Sequence, residues 1–158
     1  MQRITLIFFV LFFFSSTHLI AQTPNQIEVF DVEKGAVLKS IPVNPLFHKK
    51  ATTILHSIQD LYKKVNPIPK KGMMVKIPLN PIIHVKNKWI DSTVDEVIVF
   101  FPEDEEPYIM IYDEENNYYF FSIDNHKAET NQLFKLIEKP VDKKTKKDVQ
   151  QRLSIPLF

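Results

Sequence analysis

The sequence predicts an α+β fold: an antiparallel sheet, made of an N-terminal hairpin and a meander, with one long amphipathic helix on one face and a short C-terminal helix. Three observations carry this expectation. Val94 to Ile123 holds three apolar runs rich in β-branched and aromatic residues, about 94–101, 108–112 and 118–123. Pro, Asp and Asn interrupt them at Glu103–Pro107 and Asp113–Asn117, the pattern of a meander. Asn44-Pro45 then opens a stretch with apolar residues at three- and four-residue spacing.

Both alternate sets of side chains in the meander are apolar. Val97, Val99 and Phe101 oppose Ile98 and Phe100, while Ile109 and Ile111 oppose Tyr108, Met110 and Tyr112. Tyr119, Phe121 and Ile123 oppose Tyr118 and Phe120. Successive strand residues point to opposite faces, so each face of this sheet requires cover.

In chain order, Ile27–Val32 alternates as a strand, Glu33-Lys34-Gly35 turns, and Ala36–Ile41 returns. Asn44 is the expected N-cap and Pro45 the first helical residue, where no N–H is missed. Phe47, Ala51, Ile54, Leu55, Ile58, Leu61, Tyr62 and Val65 form the apolar stripe of a helix of about 20 residues, long enough to cross several strands. Asn66–Gly72 reads as a stiff Pro-containing loop. Met73–Ile77 and Ile82–Val85 read as strands; Pro78 and Pro81 cannot donate to a ladder, which predicts short or edge strands. Thr130–Lys139, with Leu133, Phe134, Leu136 and Ile137, is the short second helix, ended by Pro140.

The chain divides into a signal segment, 1–21, one domain, 22–139, and a charged tail, 140–158. Arg3 precedes Ile4–Phe14, an almost unbroken apolar run of eleven, followed by Ser15–Gln22. This is the n-region, h-region and exit of a secretory signal. An uncut segment retained at the membrane is the alternative to cleavage after Ala21. Leu19-Ile20-Ala21 also has the form of a lipobox, but Gln22 stands where the lipidated Cys must be. The expected location is therefore secreted or cell envelope.

The 158 residues are 44% hydrophobic and 25% charged, and contain no cysteine, which removes thiol catalysis and Cys-based zinc sites. Gly35 and Gly72 are the only glycines, so no Gly-rich phosphate cradle can form. Charge is divided along the chain: 34–88 sums to +10, 91–129 to −11 and 135–152 to +4. Such a division is either an interaction cue or two halves that neutralise each other once folded. Export and charge balance speak against nucleic acid.

His48 and His56, eight residues apart, are too far apart on a helix to share a metal, and His84 and His126 have no spaced partner. Asp113–Asn117 lacks the loop glycine and distant Glu of an EF-hand. Asp95 and Glu96 are adjacent and so face opposite sides of a strand. No cofactor, metal or catalytic residue is implied. The candidate binding residues are aromatic: Tyr108, Tyr112 and Tyr118, with Phe120 near them, and Trp89, the single indole. Tyr and Trp over a sheet make binding surfaces at low entropy cost; the alternative is that they are core.

The stretch from Lys71 to Asn117 (K-G-M-M-V-K-I-P-L-N-P-I-I-H-V-K-N-K-W-I-D-S-T-V-D-E-V-I-V-F-F-P-E-D-E-E-P-Y-I-M-I-Y-D-E-E-N-N), together with I-E-V-F-D-V-E-K-G at Ile27–Gly35, resembles small exported proteins or lipoproteins of low-GC, spore-forming Gram-positive bacteria. The likeness covers about 27–123 and carries no functional residue with it. The functional expectation is an exported, non-catalytic envelope protein that binds a protein or an anionic wall component. The alternative is a small extracellular hydrolase or metal-dependent enzyme, which needs a recess holding at least two titratable groups.

Overall fold

The computed structural model describes residues 26–123 and 127–138; the expected signal segment and the charged tail lie outside them. Seven antiparallel strands make one sheet, with two helices against it. The strands are β1 (Gln26–Asp31), β2 (Ala36–Pro42), β3 (Ile58–Leu61), β4 (Gly72–Lys86), β5 (Asp91–Pro102), β6 (Tyr108–Tyr112) and β7 (Tyr118–Ile123). The helices are α1 (Pro45–His56) and α2 (Lys127–Glu138). Across the sheet the order is β2-β1-β4-β5-β6-β7-β3. The two edge strands, β2 and β3, are therefore consecutive in the chain, separated only by α1 and short connections.

The hairpin and meander form where the apolar runs predict them. Gly35 turns the hairpin with φ +61, a conformation that only a residue without Cβ adopts freely. Gly72 starts β4 with φ +114, and an added Cβ there would collide with the carbonyl oxygen of Phe101 across the β4–β5 ladder.

The long helix is corrected. Asn44 does cap it, accepting from the N–H groups of Leu46 and Phe47 at 3.0 and 3.2 Å, but α1 stops at His56 after 12 residues. The Ser57 N–H and hydroxyl both donate to the Ile54 carbonyl, at 3.0 and 2.7 Å, closing the last turn. Ile58–Leu61 then pairs with β7, Ile58 opposite Ile123 and Leu61 opposite Phe121. Without this strand the β7 edge would carry unpaired backbone groups. Val65, placed on the stripe by its spacing, is 98% exposed.

The second correction concerns β4. Prolines 78 and 81 predict short or edge strands, yet Gly72–Lys86 is one 15-residue strand between β1 and β5. The β1 ladder ends at Lys76, so β4 is already unpaired on that flank where Pro78 stands. Pro78 lies opposite Glu96 and Ile83 opposite Val94, leaving residues 79–82 against Asp95 alone. The bulge absorbs Pro81, whose peptide bond with Asn80 is cis.

The helices cover one face. Phe47, Ala51, Ile54 and Leu55 of α1, with Leu133 and Ile137 of α2, join Ile27, Val29, Val75, Ile77, Val97, Val99, Ile109, Ile111 and Phe121 in the main core. The opposite face carries a smaller cluster of Phe100, Tyr108 and Met110, flanked by Tyr62, Met74, Ile98, Tyr112 and Phe120. The division between faces follows the alternation of the meander residue by residue.

Candidate functional site: the second face of the sheet

Cross-strand register lays the second face out in rows. Met74, Phe100, Tyr108 and Ser122 are successive partners across β4 to β7, then Lys76, Ile98, Met110 and Phe120, then Tyr112 and Tyr118. Glu28 of β1 continues the middle row beside Lys76, with which it is paired at 2.9 Å.

A strap, residues 62–71, covers the first row. The Tyr62 N–H donates to the Phe120 carbonyl at 2.9 Å, continuing the β3–β7 pairing. Its ring stacks on Tyr108 at 4.0 Å, and Tyr108 stacks on Phe100 at 4.8 Å. The Tyr108 hydroxyl donates to the Pro67 carbonyl, and Glu105 holds both the Tyr62 hydroxyl and Lys64. Burial, aided by the Glu105 charge, pushes the Tyr108 hydroxyl up to about 12. Burial and its bond to Glu105 raise Tyr62 further.

Beyond the strap the face opens. Tyr118 is 64% exposed; it pairs in register with half-buried Tyr112 and meets Phe120 edge to face at 6.0 Å. The β6–β7 turn is tied together by its own side chains. The Asp113 carboxylate accepts from the N–H groups of Glu115 and Asn117, from the Asn117 amide and from the Tyr119 hydroxyl, at 2.8 to 3.2 Å. These bonds, the Asn117 side chain foremost, hold its pKa below the usual carboxylate range. Asn116 takes φ 64, which Asn tolerates best after Gly. Glu114 accepts from the Thr93 hydroxyl and N–H, and its pKa is lowered as well. Beside this turn lies a recess of about 590 Å³ lined by Tyr112, Glu96, Asp95, Asp113, Glu114 and Ile82, among others. Burial raises the pKa of Glu96.

The four candidate aromatics therefore do not form one patch. Tyr112 and Tyr118 are neighbours on the open part of the second face. Tyr108 shares that face but is 1% exposed beneath the strap. Trp89 belongs to the other face: it packs against the main core, 5.9 Å from the Phe121 ring, with the Lys88 ammonium 4.1 Å from its own. Ile98, Met110 and the strap residue Tyr62 were missed as parts of the site. Its spacing places Tyr62 on the helix stripe, and only a strand at 58–61 brings it onto this face.

The lysine-rich half is largely answered by carboxylates. Lys50 pairs with Glu129, Lys64 with Glu105, Lys86 with Asp91, Lys71 with Glu33 and Lys76 with Glu28. Among the described residues no three His, Asp or Glu side chains are grouped to hold a metal ion, and no helix is long and apolar enough to cross a membrane. His48 instead contacts the Pro81 carbonyl at 2.8 Å and His84 pairs with Asp91 at 2.9 Å. No family model, curated protein or solved structure matches the chain.

Proposed function

We propose that this is an exported, non-catalytic protein of the cell envelope that binds another protein through the open part of its second sheet face. One observation carries the reading: beyond the strap Tyr118 is 64% exposed, and Ile98, Tyr112 and Phe120 of the apolar floor are only half-buried, while Met110 between them is closed over. Large rigid side chains over a flat apolar floor are how protein interfaces gain affinity at small entropic cost. The n-region and apolar run of residues 1–21 support the location. An anionic wall polymer has less behind it, because the lysines that suggested it are mostly engaged with carboxylates.

The test is a photo-crosslinking side chain at position 118 in the full chain expressed in its host, with a second at exposed Val65 as control. A discrete adduct from position 118 alone, lost when Tyr112→Ala is added, supports the surface. Equal adducts from both positions, or none from position 118, overturn it.

A second reading, a small extracellular hydrolase, has one feature in its favour. The recess holds carboxylates of unequal proton affinity, Glu96 raised against Asp113 and Glu114 lowered, the arrangement an acid–base pair uses. Against it, Asp113 and Glu114 already spend their oxygens on the turn and on Thr93. Chromogenic glycoside and ester substrates, with Glu96→Gln as the null, test it directly.

A further inference from the structure

We infer that the partner presents a cationic, arginine-bearing extended segment to this face; the inference rests on the binding surface just described and names its ligand chemistry. The floor is apolar and aromatic, but its open end is rimmed by acid. Glu96 and Tyr112 line the same recess, joined there by Asp95, Asp113 and Glu114, and Glu115 stands on the same turn. No lysine among the described residues forms an ion pair with any of these five carboxylates. Lys76 acts on Glu96 through space but is itself bound to Glu28 at 2.9 Å, and His84 acts on Glu114 in the same way but is bound to Asp91 at 2.9 Å. Glu129, Glu105 and Asp91, by contrast, are each held by a lysine, Lys50, Lys64 and Lys86 in turn. Unanswered negative charge thus stands at the end of the sheet where the aromatic floor opens, as it also does at Glu103 and Asp104 at the other end, which have no such floor beside them.

That combination selects among ligands. Phosphate-bearing and other anionic polymers are repelled by the rim. A purely apolar segment would seat on the floor but leave the carboxylates facing it desolvated, which costs free energy. An arginine meets both demands: its guanidinium stacks on a tyrosine face and forks onto a carboxylate. Lysine satisfies the charge but stacks less well. A β-extended segment suits a flat floor whose rows repeat at strand spacing.

The probes are two octapeptides, alternating Gly-Arg and alternating Gly-Lys, titrated into the full chain by heteronuclear NMR and calorimetry. Shifts are expected at Tyr112, Tyr118 and Phe120, with the arginine peptide bound more tightly and its affinity falling as salt rises. Tyr118→Ala should weaken the arginine peptide about threefold to fivefold and erase its advantage over lysine. Asp95→Asn combined with Glu96→Gln and Glu115→Gln should weaken both peptides about tenfold or more, whereas Glu103→Gln with Asp104→Asn at the opposite end of the sheet should change nothing. Equal losses in the Glu103/Asp104 variant, or no preference for arginine, reduce the effect to general attraction and overturn the inference. A crosslink from position 118 that survives in the Asp95/Glu96/Glu115 variant also overturns it, yet leaves the binding surface standing. Absence of that crosslink in the unsubstituted chain removes the surface itself.

Discussion

The two faces of the sheet are built from the same kinds of residue and finished differently. On one, two helices bury Ile109, Ile111, Val97, Val99 and Phe121 completely. On the other, a strap of irregular chain seals one row of aromatics and leaves the next half-open. Apolar content therefore does not decide which face is core; what lies over it does. A helix supplies a continuous apolar stripe with its backbone bonds satisfied internally. The strap must find partners for its polar groups, which it does through Pro67, Glu105 and the Phe120 carbonyl.

The contrast can be broken at graded strength. Phe121→Ala on the helix face should cost about 3–5 kcal/mol in urea unfolding, enough to unfold much of a marginal domain. A loss below about 1 kcal/mol would mean that this face is loosely packed. Tyr108→Phe keeps the ring and removes the hydroxyl that bonds Pro67 and meets the Tyr62 hydroxyl, and about 1 kcal/mol is expected. Backbone amide exchange should then quicken over residues 62–71 and remain slow in α1. Glu96→Gln should raise Tm at neutral pH. Burial raises the folded pKa of Glu96 above its unfolded value; its ionisation thus opposes folding at pH values above both, and the opposition fades as pH falls to the unfolded pKa near 4.3. The gain in Tm should accordingly shrink to nothing in acid, and a gain unchanged across that range would assign the effect to packing. Smallest of all, Tyr118→Ala should move stability by no more than about 0.5 kcal/mol, because a ring 64% exposed buries little area against Tyr112 and Phe120. A larger loss would make Tyr118 part of the fold and not of a surface.

Much of this was legible beforehand, for local reasons. Hairpin and meander are delimited by Gly35, Pro107 and the Asp113–Asn117 turn, and the assignment of Tyr108, Met110 and Tyr112 to one face follows from alternation alone. Asn44-Pro45 marked the start of α1, but nothing local marked its end. Ile58, Leu61 and Tyr62 fit a 3.6-residue period by coincidence, and the need to pair β7 is a demand from the far end of the chain. Pro78 and Pro81 misplaced β4 in the same way, since the flank left open beyond Lys76 and the bulge opposite Asp95 are properties of its neighbours. The candidate site suffered twice. Trp89 lies in a connection whose face no alternation fixes, and Tyr108 lies beneath a strap that the spacing reads as the end of a helix and a stiff loop.

That β2 and β3 are chain neighbours but opposite borders of the sheet has a kinetic consequence. The ribbon cannot be zipped from one side to the other: β3 has no seat until the last strand of the sheet, β7, has formed. So distant a closure makes for slow folding, and until it occurs β7 offers a bare hydrogen-bonding rim to any other nascent chain. Through α1, one covalent tether then secures both margins together, so a cut at Ser57 would free the far margin and the strap without touching the hairpin.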